Sequence, residues 1–204
     1  MSVLQVDKIQ DAAGTTNKEL AEYSSSAWSW GAGCPAGTII QTVVVKKDDE
    51  NSASLNSGSL TKFVDSGGNA DFRATINNVT SGNDIIVTAS FTVRVGHTQD
   101  QHGIALGFLR DTGTPSNSGG TAVYESTSGH AQFYLDARGA FGGGSGDVTH
   151  YGTPMMQFVD TNVSGTSFNY YLGGDCQNAG SGVIVRADNP PNFPFYMTLQ
   201  EVKR

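Results

Sequence analysis

The sequence is poor in charge, in cysteine and in the residues that build helices. Charged residues make up only 15% of its 204 positions, cysteine occurs twice and proline six times. Helices draw on Ala, Leu, Glu, Lys and Arg, whereas here Gly 26, Ser 20, Thr 19 and Asn 13 supply 78 positions. That balance argues against a helical bundle and for an all-β chain with many turns. Cys34 and Cys176 stand in no Cys-x-x-Cys or Cys/His spacing, so neither a zinc site nor a disulfide framework is suggested, and two free buried thiols is the simplest reading. Basic residues form no block longer than Lys46-Lys47 and the formal charge is −7, which makes nucleic acid and anionic membranes poor partners. No apolar stretch approaches the roughly 20 residues of a membrane span. Asp7, Lys8 and Asp11 occupy the region where an export signal needs its apolar stretch, so the chain is expected to be soluble, without membrane insertion or export.

What is present is enough apolar material to collapse: 37% hydrophobic residues, with 10 Phe, 7 Tyr and 2 Trp. The length suits one compact domain with an appendage. Residues 1–34 read as an N-terminal arm and linker, and 35–204 as the β-domain. In the arm, Leu4 and Val6 alternate with polar neighbours as in a short strand, and Thr16-Asn17-Lys18-Glu19 is a capping-box pattern that predicts a short helix over about 16–23. A Ser/Gly stretch follows and carries both tryptophans, Trp28 and Trp30. Large rings gain nothing in a fully solvated linker, so they read as anchors docked on their own domain or on a neighbouring chain.

From Pro35 onward the pattern is strand after strand. Over 85–95, Ile85, Val87, Ala89, Phe91, Val93 and Val95 share one face, which predicts a half-buried antiparallel strand. The segments 130–138 and 166–172 repeat the pattern, the second with Phe168, Tyr170 and Leu172 inward. The runs 39–45 and 155–159 are apolar on both faces, as in strands covered on both sides at an inter-sheet or inter-subunit contact. Weaker candidates at 60–64, 72–79, 103–110, 121–125, 182–187 and 194–202 bring the total to about ten strands. Short strands at this spacing, without helical segments between them, predict an antiparallel β-sandwich of jelly-roll or related type. The glycine-dense stretch 139–147 reads as a mobile loop.

Chemistry-bearing motifs are sparse. No Gly-x-Ser-x-Gly elbow and no P-loop occurs. The stretch from His97 to His102 does not have the spacing of a strand or helical ligand pair, and His130 and His150 read as surface residues. Glu125, Asp136, Asp147, Asp160 and Asp175 are the acids from which a glycoside-cleaving pair would be drawn, with Asp136 beside Tyr134 as the leading choice. A lectin-like site would use Tyr124-Glu125 or Asn169-Tyr170-Tyr171, whose aromatic and amide groups suit sugar faces and hydroxyls. None of these patterns assigns a catalytic residue, a metal site or a cofactor, and none of these is expected.

Three segments carry a resemblance. Met1-Ser-Val-Leu-Gln-Val-Asp-Lys-Ile-Gln-Asp-Ala-Ala-Gly14 resembles the opening of many small tail-fibre and other virion structural proteins of tailed bacteriophages, especially those of marine cyanobacteria. Pro35-Ala-Gly-Thr-Ile-Ile-Gln-Thr-Val43 is similar to the start of the first domain strand in such proteins, and Phe195-Tyr-Met-Thr-Leu-Gln-Glu-Val202 to their closing strand. The resemblance implies a virion appendage assembled in the host cytoplasm, commonly a homotrimer, and no catalytic motif. Its N-terminal segment would attach to other virion proteins, and its β-domain would face the host surface, with a surface glycan as a candidate ligand. A capsid decoration protein and a polysaccharide-degrading appendage enzyme are the alternatives. For the arm, Leu4, Val6 and Ile9 are expected to be buried against other subunits or an attachment protein, with Trp28 and Trp30 fixing the linker.

Overall fold

A computed structural model of the chain describes residues 8–10, 19–24, 27–30, 34–48, 51–54, 60–65, 67–97, 103–123, 133–136, 148–152, 154–161, 163–176, 184–187 and 194–204. Among them every regular element is a β-strand. The N-terminal segment contributes β1 (Lys8–Gln10), β2 (Glu19–Ser24) and β3 (Ala27–Trp30). Next come β4 (Ile39–Lys47), β5 (Asn51–Ser54), β6 (Thr61–Lys62), β7 (Arg73–Asn77), β8 (Asp84–Ser90), β9 (Val93–His97) and β10 (Gly103–Thr112). The remainder are β11 (Thr121–Ala122), β12 (Phe133–Asp136), β13 (Val148–Gly152), β14 (Met155–Asp160), β15 (Ser167–Cys176), β16 (Ile184–Ala187) and β17 (Phe195–Val202). The fold is an antiparallel β-sandwich, the class that the composition predicts.

One layer, the front sheet, has the order β14-β8-β17-β4. The back sheet runs β11-β10-β15-β6, with β12 also on β10 and β7 also on β15. A smaller sheet has the order β13-β9-β16-β5, and β1, β2 and β3 form a sheet of their own. Alternation does what a pleat requires in the front sheet: Ile85, Val87 and Ala89 of β8 and Phe195, Met197 and Leu199 of β17 point inward and are buried. Register sets them in rows, Met156 with Ala89, Met197 and Val45, then Phe158 with Val87, Leu199 and Val43. These rows meet Ile76, Leu106, Phe108, Phe168, Tyr170 and Leu172 of the back sheet in one hydrophobic core. Full burial of side chains of this size contributes about 1.5–3 kcal/mol each.

The structure departs from the sequence expectations in three places. Residues 19–24 form a strand, not part of a helix over 16–23. A helix of two turns is marginal without packing, whereas as a strand the segment pairs on both sides, with β1 and with β3. The segment 85–95 is not one strand. β8 stops at Ser90, Phe91 turns inward near Phe195 while its N–H donates to the Pro154 carbonyl, and the chain continues as β9 in the smaller sheet. The strand thus turns a corner between sheets, as strands do when a sandwich closes at its end. β15 is buried on both faces instead of one, because Tyr171 packs with Leu109 and Ala70, flanked by Leu60, Val64 and Ala122, on the outside of the back sheet.

The runs 39–45 and 155–159, expected at an inter-sheet or inter-subunit contact, become β4 and β14, each bounding the front sheet in its strand order, with one face on the core and the other exposed in this single chain.

Candidate interaction surface

The two outer faces of the sandwich are treated differently by the chain. Over the back sheet, residues 60–65, 67–70 and 111–123 are tied down by specific bonds. Lys62 Nζ donates to Asp111 Oδ2 at 2.6 Å and to the Ser116 carbonyl at 3.0 Å, and it sits 3.6 Å from the centre of the Tyr171 ring. The Ser116 N–H donates to the Tyr171 hydroxyl, and the Ala70 N–H to Asn117 Oδ1. Gly120 makes the close approach possible: at φ +109° it has no side chain, and a Cβ there would lie 2.8 Å from Asp111 Oδ1.

Among the described residues the front sheet has no such cover. Among the described residues the large apolar side chains left exposed are Ile39, Val44, Met155, Val159 and Tyr196, and all five lie on its strands. Met155 is 77% exposed and Val44 62%. Register arranges the outer face in rows: Met155, Ser90, Tyr196 and Lys46; then Gln157, Thr88, Thr198 and Val44; then Val159, Ile86, Gln200 and Thr42. Charge is confined to the two ends, Lys46 paired with Asp48 at one and Asp84 beside Arg204 at the other. The face thus mixes five apolar or aromatic side chains, Met155, Tyr196, Val44, Val159 and Ile86, with uncharged hydroxyls and amides, and its charges stand at the ends.

Beneath this face two buried carboxylates brace the sheet. Inward parity on β17 runs Phe195, Met197, Leu199 and then Glu201, which is fully buried. Its carboxylate accepts hydrogen bonds from Asn83 Nδ2 at 2.6 Å, Gln41 Nε2 at 2.7 Å and the Thr80 N–H at 2.8 Å. Across the same register row, Asp160 of β14 accepts from Arg110 Nη1 of β10 and from the Tyr170 hydroxyl of β15 at 2.7 Å, tying front sheet to back. Sequence reasoning missed Glu201 and its role. The available signal was parity, since an acid two residues beyond Met197 and Leu199 in a strand must face the core and therefore needs partners.

Burial, aided by the Asp160 carboxylate, raises the Tyr170 phenol above its ordinary value of 10.0. A phenol raised in the folded chain contributes its full stability below pH 10.0 and loses it as pH rises through the higher folded value. Urea unfolding is accordingly expected to show stability falling above pH 10.0, and Tyr170→Phe to flatten that fall. An unchanged slope in the variant would mean that another group drives it.

The sequence-predicted site residues scatter. Leu4 and Val6 lie outside the described residues. Ile9 is in β1 opposite Ala21, and Trp28 and Trp30 are in β3 opposite Tyr23 and Ala21, so the tryptophans belong to a strand and not to a linker. Asn169-Tyr170-Tyr171, offered as a sugar site, is buried throughout and open to no ligand. Asp160 and Asp175 are likewise buried, Asp136 and Tyr134 are in β12 opposite Gly103 and Ala105, and Tyr124, Glu125 and Asp147 lie outside the described residues. His97 and His150 come into the smaller sheet opposite Val148 and Val95, while His102, His130 and the loop 139–147 lie outside the described residues. Cys34 is free and buried.

No protein-family model matches the chain, and no curated protein matches it. Among solved structures it is similar to the structure of infectious bursal disease virus, Gx strain, at a TM-score of 0.29 and 9% identity, over 96% of this chain and 45% of that one. It is also similar to the VP2 subviral particle of infectious bursal disease virus at a TM-score of 0.30 and 13% identity, over 96% of this chain and 46% of that one. The chain therefore spans less than half the length of either, and at these TM-scores the likeness carries no argument about function.

Proposed function

We propose that the chain is a virion structural protein of a tailed bacteriophage, a short tail fibre or fibre knob that works as a homotrimer. Its first 34 residues attach it to other virion proteins, and its β-domain meets the host surface. The observation that carries this reading is the contrast between the two outer faces. Among the described residues the chain covers one sheet with its own loops and leaves large apolar side chains exposed on the other, which suits burial against another molecule. The resemblance to appendage proteins supplies the setting. Two of its three segments, 35–43 and 195–202, are neighbours here: β4 and β17 pair along their length, and beyond them the Gly37 N–H donates to the Lys203 carbonyl and the Lys203 N–H to the Thr38 carbonyl. The β-domain thus begins beside its closing strand, at one end of the front sheet.

Labelling the chain in intact particles and imaging them by electron microscopy tests the assignment. Label on the tail is the expected result; label on the head would make the chain a decoration protein, and its absence from purified particles would overturn a virion role.

A further inference from the structure

The front sheet is uncovered among the described residues, and we infer that its occupant is the same face of two further copies of this chain, the three sheets packing around a threefold axis; this rests on the homotrimeric reading above. Charge selects the partner. The chain carries a formal −7, so most surfaces brought against their own copies set acid against acid. The front face carries no such acids at its centre: between Lys46 at one end and Asp84 at the other, its rows hold only Met, Val, Ile, Tyr, Thr, Ser and Gln. An acidic or basic partner would find nothing to pair with at its centre, whereas an identical face meets it without burying a charge.

The width of the face fits the three copies of the homotrimeric reading. Strands in a sheet lie about 4.8 Å apart, so four of them make a face about 19 Å across. Three such faces joined edge to edge as a triangular prism stand about 5.5 Å from the axis, close to half of the roughly 10 Å that separates stacked sheets. Side chains the size of Met155, Val44, Ile86 and Tyr196 then fill the interior. Closing the ring sets β14 of one copy beside β4 of the next, a head-to-tail contact that repeats three times and ends.

Val44→Lys and Thr198→Lys, neighbours in register at the centre of the face, each place three ammonium groups in that interior. In sedimentation velocity the trimer's dissociation constant is expected to rise by about 100-fold or more, following the cost of like charges brought together in an interface. Thr114→Lys, on an exposed loop of the back sheet, is expected to leave it unchanged. Hydroxyl-radical footprinting of the unmodified protein needs no variant to fold: Met155, exposed in the single chain, is expected to be protected in the oligomer. A wild-type protein that is already monomeric overturns the homotrimeric reading itself. A trimer that survives both lysines, or in which Met155 oxidises freely, leaves that reading standing and overturns the assignment of this face. A dimer dissolved by the lysines overturns the threefold closure.

Discussion

Glu201→Ala is expected to lower the unfolding free energy of the β-domain by about 3 kcal/mol, since breaking a buried charged network leaves its donors without an acceptor. Glu201 is fully buried on the central strand β17, and its carboxylate serves the Asn83 and Gln41 amides and the Thr80 N–H together. Those three partners come from the start of β4 and from the turn between β7 and β8, so the loss loosens the same end of the sheet that β4 and β17 close. Glu201→Gln keeps one acceptor oxygen but sets an NH₂ against a donor, and about half the loss is expected. Urea unfolding of both variants measures this. A loss below about 1 kcal/mol for the alanine variant would mean that water replaces the carboxylate without difficulty.

Asp160→Ala is expected to cost a similar amount, about 3 kcal/mol, for a different reason. Its carboxylate is the one acceptor shared by Arg110 and the buried Tyr170 hydroxyl, and both donors stand on the opposite sheet. Tyr170→Phe alone removes the hydroxyl together with its need for a partner, and should cost about 1 kcal/mol. The two changes are therefore expected to be non-additive, with a coupling of about 1–2 kcal/mol in a double-mutant cycle. Additive losses would show that the tyrosine does not depend on the aspartate.

The strands that form the core were the most legible part of the sequence. In β8 and over Phe195–Leu199 of β17 every second residue is apolar, and period-2 alternation has a single physical reading when one face is buried and one is wet. β15 was half legible. Phe168, Tyr170 and Leu172 announced its inner face, but the cover over Tyr171 comes from segments about 50 and 100 residues away, which no local pattern reports. The corner at Phe91 is invisible for a similar reason, because apolar alternation continues through a strand that changes sheets. The double-faced apolar pattern of 39–45 and 155–159 was legible as unusual, yet only sheet order showed that both runs border one sheet and share its outer face. The arm was misread at residues 19–24 because a capping box describes a helix start and says nothing of a pairing partner.

The central claim, that one chain is an incomplete unit which closes its front sheet with two further copies, meets its most direct test in native mass spectrometry of the purified full-length protein at micromolar concentration. The predicted result is one species at three times the 21.4 kDa chain mass. A single species at 21.4 kDa would contradict it.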